Sequence, residues 1–148
     1  MAKYLQGKYI PKHPEKYIGD VKNVFFRSSW ERKLMIYLDE NPAILKWGSE
    51  ELIIPYRSPV DGKNHRYFPD MVVMYKTKND EIKHAVIEVK PLAQTKPPKA
   101  TMTGKNTKRF IKETITYAVN SAKWTAATAW CKHNNFDFII LTEVELKV

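Results

Sequence analysis

Three residues of this chain have the types and spacing to do chemistry together: Asp70, Glu88 and Lys90. Pro69-Asp70 opens an apolar stretch at residues 71–75, and eighteen positions after Asp70 a second apolar stretch closes on Glu88-Val89-Lys90. That separation suits a strand leaving Asp70, a turn at Lys78-Asn79-Asp80, and a strand returning to Glu88, so the two carboxylates can meet on neighbouring strands. Glu88 and Lys90 are two apart and share one face, about 7 Å from each other at the usual strand rise. Two carboxylates can hold magnesium, which prefers oxygen ligands and keeps several waters. Such an ion polarises a phosphate oxygen and lowers the pKa of a bound water. The Lys90 ammonium can orient that water or offset charge on the phosphate. Val89 would lend its backbone carbonyl as a further metal ligand. Acid-x-Lys at a strand end is common, and the plain reading of Lys90 is a solvated charge. The apolar run Ala85-Val86-Ile87 before the motif, Pro91 directly after it and the basic loop beyond weigh toward catalysis.

Glu31 is the fourth candidate. In Ser28-Ser29-Trp30-Glu31 it stands at the third position of a helix start, where Ser-x-x-Glu also reads as a capping box. Spacing leaves both roles open, an acid facing the metal or a cap. Residues 91–112 carry Lys96, Lys99, Lys105, Lys108, Arg109 and Lys112 and no acid. A solvated loop and helix face is the bland reading. The total absence of acids beside the motif favours a phosphate-contacting surface. Asn120 and Lys123, about one turn apart on a helix, could reach the site from there. His65 reads as a turn-adjacent surface histidine, and His84 shares the Glu88 face but lies too far along the strand to be a ligand. Cys131 and His133 are only two ligands and make no metal site. Trp124 and Trp130 read as core.

These residues need a scaffold, and the pattern predicts one. Residues 28–40 form a helix whose apolar face is Trp30, Leu34, Tyr37 and Leu38, capped by Ser28 and stopped by Asn41-Pro42. A short segment follows at 44–47. Strands are expected at 52–56, 65–68, 71–75, 82–90 and 136–141, with a tight turn at Asp61-Gly62. The strand at 82–90 puts Ala85, Ile87 and Val89 on one face and His84, Val86, Glu88 and Lys90 on the other. Residues 91–106 read as a long basic loop that orders on DNA, and 107–133 as helical, broken at Asn120-Ser121 into two helices. Residues 1–24 read as an extended arm wrapping the domain. The order of elements predicts an α/β layer fold with a mixed sheet.

The chain has 148 residues, which suits a single domain (1–148) able to bury one core without disulfides. Its net charge of +9 favours polyanionic partners, nucleic acid first. No apolar run approaches a membrane span, and the lysine-containing N-terminus has no apolar run behind it, so neither a membrane partner nor a secretory signal is expected. The single cysteine, Cys131, points to a reducing compartment.

Arg27-Ser28-x-Trp30-Glu31, Tyr67-Phe68-Pro69-Asp70 and Ile87-Glu88-Val89-Lys90 together resemble the head-completion nucleases of T-even-type tailed phages. Those look like the catalytic domain of the endonuclease subunit of heteromeric transposases. Both belong to the restriction-endonuclease-like, PD-(D/E)xK superfamily. The match extends to Asn120-x-x-Lys123-Trp124 and to residues 138–143, so it covers nearly the whole chain. The resemblance implies a restriction-endonuclease-like fold with a central mixed sheet flanked by helices, and it tips Glu31 toward function beside Asp70, Glu88 and Lys90. It implies a Mg2+-dependent endodeoxyribonuclease, with Mn2+ as a substitute ion, acting on DNA in phage head completion. Phage head or packaging proteins are the implied partners, and the host cytoplasm or the virion the implied place. Two alternatives stand beside this reading. One is a head–neck structural protein that kept the fold without needing cleavage. The other is a host-type restriction or repair nuclease, for whose usual specificity domain the chain has no room.

Overall fold

Continuous apolar runs at 71–75 and 85–87, joined through a polar turn, form two adjacent strands, and the rest of the fold is arranged around that pair. The computed structural model describes residues 6–99 and 107–148. Strands β1 (Gly7–Lys8) and β2 (Phe25–Phe26) precede helix α1 (Ser29–Glu40). Then come β3 (Ile44–Ser49), β4 (Ile54–Arg57), β5 (Asn64–Tyr67), β6 (Met71–Lys76) and β7 (Ile82–Val89). A 27-residue helix α2 (Lys108–Asn134), strand β8 (Asp137–Leu141) and a short helix α3 (Glu143–Leu146) complete the chain.

The central sheet has the order β3-β6-β7-β8. Its first three strands are antiparallel, and β8 joins β7 in parallel, so the sheet is mixed as expected. Trp47, Met71, Val73, Ala85 and Ile87 pack against α1 and the N-terminal arm. The expected strand at 52–56 and its partner form a separate hairpin, β4–β5, outside the central sheet. Leu52 precedes the hairpin and packs with Ile54, Tyr56, Tyr67, Trp124 and Trp130 in a second cluster under α2. The expected tight turn is a longer loop, because the last paired residues are Arg57 and Asn64; Gly62 supplies its left-handed residue (φ 69°).

Two helix expectations need correction. On α1, Trp30, Leu34 and Leu38 are buried, but Tyr37 is exposed and Met35 takes its place in the core. The reason is the arm. At 100° per residue, Met35 and Asp39 lie beyond the stripe of Trp30, Leu34 and Leu38, and Tyr37 lies on its other side. The arm covers the Met35 and Asp39 flank. There the fully buried Asp39 carboxylate accepts from the Tyr9 hydroxyl at 2.6 Å and from the backbone amides of Lys12 and His13 at 2.7 and 3.1 Å. Lys16 adds bonds to the carbonyls of Asp39 and Asn41 at the end of the helix. The second correction is α2, which runs unbroken through Asn120-Ser121. Asn120 is buried, and Val119 and Ala122 pack into the second cluster, so tertiary packing overrides the weak local preference for a break. The segment 91–99 also holds more structure than a bare loop, since Leu92–Thr95 forms one 3-10 turn and the Leu92 amide donates to Glu143 at 2.7 Å.

Asp39 yields a stability prediction. Burial pushes its pKa up, but the hydrogen bonds from Tyr9, Lys12 and His13 outweigh burial and leave it below its ordinary value. A lowered folded-state pKa contributes stability that is present above the unfolded value of about 3.9 and is lost as pH falls through the folded one. Asp39→Asn is expected to lower stability at pH 7 by roughly 2 kcal/mol, or about 4–8 °C in unfolding midpoint. The gap to the unchanged protein should begin to narrow near pH 4 and go on narrowing as pH falls through the lowered folded-state pKa. Thermal unfolding of both proteins from pH 7 down to pH 2 measures this, and a gap that does not narrow on acidification would contradict the argument.

Candidate active site

The site begins with register. Met71 pairs with Ile87 across β6 and β7, so the next step of that antiparallel ladder sets Asp70 opposite Glu88 on the same face. The predicted meeting of the two carboxylates is therefore present. The Val89 amide donates to Asp70 Oδ2 at 2.7 Å, and the Asp70 carbonyl accepts from the Glu50 amide at 3.1 Å, which ties Asp70 to both neighbouring strands. Lys90 Nζ lies 3.5 Å from Glu88 Oε2. Its backbone amide donates to the Leu141 carbonyl, so β8 anchors the end of β7 where the lysine leaves it.

Glu88 is buried. The Tyr67 hydroxyl, reaching over from the hairpin, donates to its Oε1 at 2.7 Å. Burial, with Glu88's charge adding to it, pushes the Tyr67 pKa far up, so the phenol stays a donor. One oxygen of each carboxylate is thus fixed, Asp70 by an amide and Glu88 by a phenol. Glu31 stands at the start of α1, where its amide donates to the Ser28 hydroxyl at 3.1 Å. Its carboxylate is 3.4 Å from that hydroxyl.

The electrostatics describe a site rich in negative charge. Burial raises the Asp70 pKa well above the carboxylate norm, and the charges of Glu88 and Glu31 raise it further. The Val89 amide and Lys90 only partly offset this. Glu31 is also raised, by burial first and by Glu50, against the pull of Arg27 and Ser28. A divalent cation between Asp70 and Glu88 would relieve this crowding, and two carboxylates with the Val89 carbonyl suit a hard ion that keeps waters. Among the described residues, no group of three or more His, Cys, Asp and Glu side chains converges to hold a metal. Glu31 is therefore not gathered with Asp70 and Glu88 as a third ligand here.

A family model described as TnsA-like endonuclease N terminal matches residues 41–143. That span takes in all four strands of the central sheet with Asp70, Glu88 and Lys90. The chain belongs to the TnsA-like endonuclease family. A head completion nuclease of Enterobacteria phage T4 is 41% identical over 143 residues, 95% of this chain and 93% of that protein. The resemblance drawn from the motifs thus holds, and the fold of this TnsA-like endonuclease domain is restriction-endonuclease-like. The alignment with the T4 protein is long enough to include Arg27, Ser28 and Glu31, which lie before the family model's span.

Around the core of this TnsA-like site, the basic residues fall into three groups. Lys96, Lys99, Lys108, Arg109 and Lys112 are exposed; the last three lie in the first turns of α2, with Arg109 paired to Glu113 at 2.7 Å. Lys105 lies outside the described residues. Lys123 turns inward, its ammonium 5.8 and 5.7 Å from the ring centres of Tyr56 and Tyr67, one ring away from Glu88. Asn120 is buried beside it on α2. The weaker candidates behave as read from the sequence: His65 pairs with Asp61 at a turn, His84 stacks on Phe136, and Cys131 is buried while His133 is exposed.

Three further residues belong to the site, and the sequence pattern does not mark them individually. Tyr67 stands three before Asp70 and was visible only as part of a motif. Glu50 and Arg27 are joined to each other at 2.7 Å, and Glu50 follows β3 directly beside Asp70. No local pattern marks Glu50, because its closeness to Asp70 comes from the β3–β6 pairing alone.

Proposed function

We propose that this protein is a magnesium-dependent DNA endonuclease of the PD-(D/E)xK type that acts in phage head completion. The observation that carries the reading is Asp70 opposite Glu88 on adjacent strands with Lys90 beside them. Asp70, Glu88 and the Val89 carbonyl would hold the ion. When bound, it supplies Lewis acidity toward a phosphate oxygen and a lowered pKa for a water. The protein's own residues do the rest. Tyr67 and the Val89 amide keep the two carboxylates in place, Lys90 orients the attacking water or offsets charge on the phosphate, and Glu31 adds its negative charge toward Asp70 from the start of α1. The role in head completion follows from kinship to the T4 protein, whose name carries it, and such a role would place the protein in the infected cell's cytoplasm or the virion. Head or packaging proteins are the partners that role implies.

DNA is the substrate that the charge distribution favours. The first turns of α2 are solvent-exposed, with Ile111 and Ile115 about half exposed, and the helix packs into the second cluster only from Val119 onward. That exposed portion carries Lys108, Arg109 and Lys112 as a ready phosphate-contacting face. No helix among the described residues is long and apolar enough to cross a membrane.

Incubation of the pure protein with branched, nicked and linear DNA, with and without magnesium, tests the activity. Magnesium-dependent cleavage of at least one substrate is expected. A folded protein that cuts none of them would return the structural head–neck reading. Joint replacement of Lys108, Arg109 and Lys112 by Ala should weaken DNA binding across sequences and flatten the salt dependence by up to about three units of slope. Breaking the exposed Arg109–Glu113 pair costs little stability, so the unfolding midpoint should hold. An unchanged salt slope would move the DNA surface off α2.

A further inference from the structure

We propose that Arg27 is a second phosphate-contacting residue of this site, held by Glu50 until DNA arrives; this rests on the nuclease reading above. Arg27 occupies the short link between β2 and α1, two positions after Phe25 and immediately before the Ser28 cap. Its guanidinium Nη1 donates to Glu50 Oε1 at 2.7 Å. Glu50 follows the last residue of β3, and its amide donates to the Asp70 carbonyl. The ion pair is therefore tied, through one backbone bond, to the residue whose carboxylate lies at the centre of the site.

Strand order gives this position its meaning. In the order β3-β6-β7, Glu50 marks the β3 side, Asp70 the middle, and Glu88 with Lys90 the β7 side. Two strand spacings, about 10 Å, separate the flanks. A phosphate docked at Asp70 would have Lys90 on one side and Arg27 on the other. The charges of Glu88 and Glu31 reach Asp70, and Glu50 is bonded to its carbonyl through the backbone, so cations must flank an incoming phosphate there. The Arg27 charge is favoured by Glu50 first and by Glu31 and Asp70 as well, which places it within electrostatic reach of both acids.

The side chain is also available. Arg27 is 64% exposed. A guanidinium has five donors, and among the described residues Arg27 uses one, toward Glu50. Beside it lies a cleft of about 450 Å3 lined in part by Asn23, Phe25, Arg27, Glu50 and Glu51, within the size range of small-ligand sites and large enough to admit a nucleotide next to the docked phosphate. A planar fork suits phosphate better than a point charge, so Arg rather than Lys at this position fits a phosphate contact. An exposed ion pair kept only for stability would contribute little.

DNA binding to a linear duplex, with calcium in place of magnesium, separates the two roles. Arg27→Ala is expected to weaken binding about tenfold or more and to lower the salt slope by about one, with the unfolding midpoint unchanged. Arg27→Lys should fall between Ala and the unchanged protein. Glu50→Gln breaks the same ion pair but frees the guanidinium and removes a negative charge, so it should bind DNA as tightly as the unchanged protein or tighter. A structural pair would instead make Arg27→Ala and Glu50→Gln alike. Lys12→Ala removes a comparable exposed charge, paired to Glu40 at the far end of α1, roughly 13 Å along the helix from Glu31. Binding by Arg27→Ala equal to the unchanged protein, losses shared equally by Glu50→Gln, or an equal loss in Lys12→Ala would each overturn the proposal. A wild-type chain that binds no DNA would instead overturn the nuclease reading, and this inference with it.

Discussion

Asp70→Asn is expected to cut DNA at least about 100-fold more slowly than the unchanged protein, a loss of roughly 2.7 kcal/mol of transition-state stabilisation, and to unfold at a higher temperature without metal. The two effects share one cause. Asparagine keeps the size of the side chain and can still accept the Val89 amide, but it cannot offer a negative oxygen to a cation. Burial and the charges of Glu88 and Glu31 make the ionised Asp70 unfavourable in the folded chain. A folded-state pKa raised above the unfolded value contributes stability at low pH that is lost as pH rises through the folded value, so the penalty stands at neutral pH and the amide removes it. A gain of about 1 kcal/mol would show as roughly 2–4 °C. Magnesium should raise the midpoint of the unchanged protein by ligand linkage and leave Asp70→Asn where it was. Cleavage rates and melting curves in chelator and in magnesium measure all of this together. Full activity in Asp70→Asn, or a midpoint in the unchanged protein that ignores magnesium, would remove Asp70 from the metal site.

Glu31→Gln should likewise abolish cleavage while leaving the unfolding midpoint within about a degree. The competing role for Glu31 is a capping box, in which its carboxylate would accept the Ser28 amide. Helix α3 shows the complete form, with Glu145 Oε1 accepting from the Thr142 amide at 2.7 Å. In α1 the Ser28 hydroxyl caps the Glu31 amide, but the carboxylate contacts that hydroxyl at 3.4 Å rather than completing the box. The cap thus belongs to Ser28, and Ser28→Ala should cost about 1 kcal/mol. Gln replaces Glu in size and hydrogen bonding, so its stability cost is small; the negative charge it lacks is the one that counts toward Asp70 and Arg27. An active Glu31→Gln, with Glu31→Ala losing about 0.5–2 kcal/mol, would return this residue to helix capping. Asp70, Glu88 and Lys90 would then carry the site alone.

Much of the central site was legible in the amino-acid order because its geometry is local. A two-residue alternation sets Glu88 and Lys90 on one face, and the turn at Lys78-Asn79-Asp80 folds the strand from Asp70 back to Glu88. The start of α1 was legible for the same reason, since Ser28 and the spacing of Trp30, Leu34 and Leu38 act within one helix. What the order of residues left open depends on contacts between distant segments. The arm buries Asp39 and Met35 and so widens the core face of α1, which no periodicity within α1 could reveal. Packing of Val119 and Ala122 carries α2 straight through a sequence that invites a break. The β4–β5 hairpin leaves the central sheet and delivers the Tyr67 hydroxyl to Glu88, a bond between residues 21 positions apart. Glu50 joins Arg27 to Asp70 only because β3 pairs with β6 in one register, and a slip by one residue would turn it to the other face. Local spacing chose the carboxylates and the lysine. Strand order and register, set by burial across the whole chain, chose the side chains that hold them and the cation that flanks them.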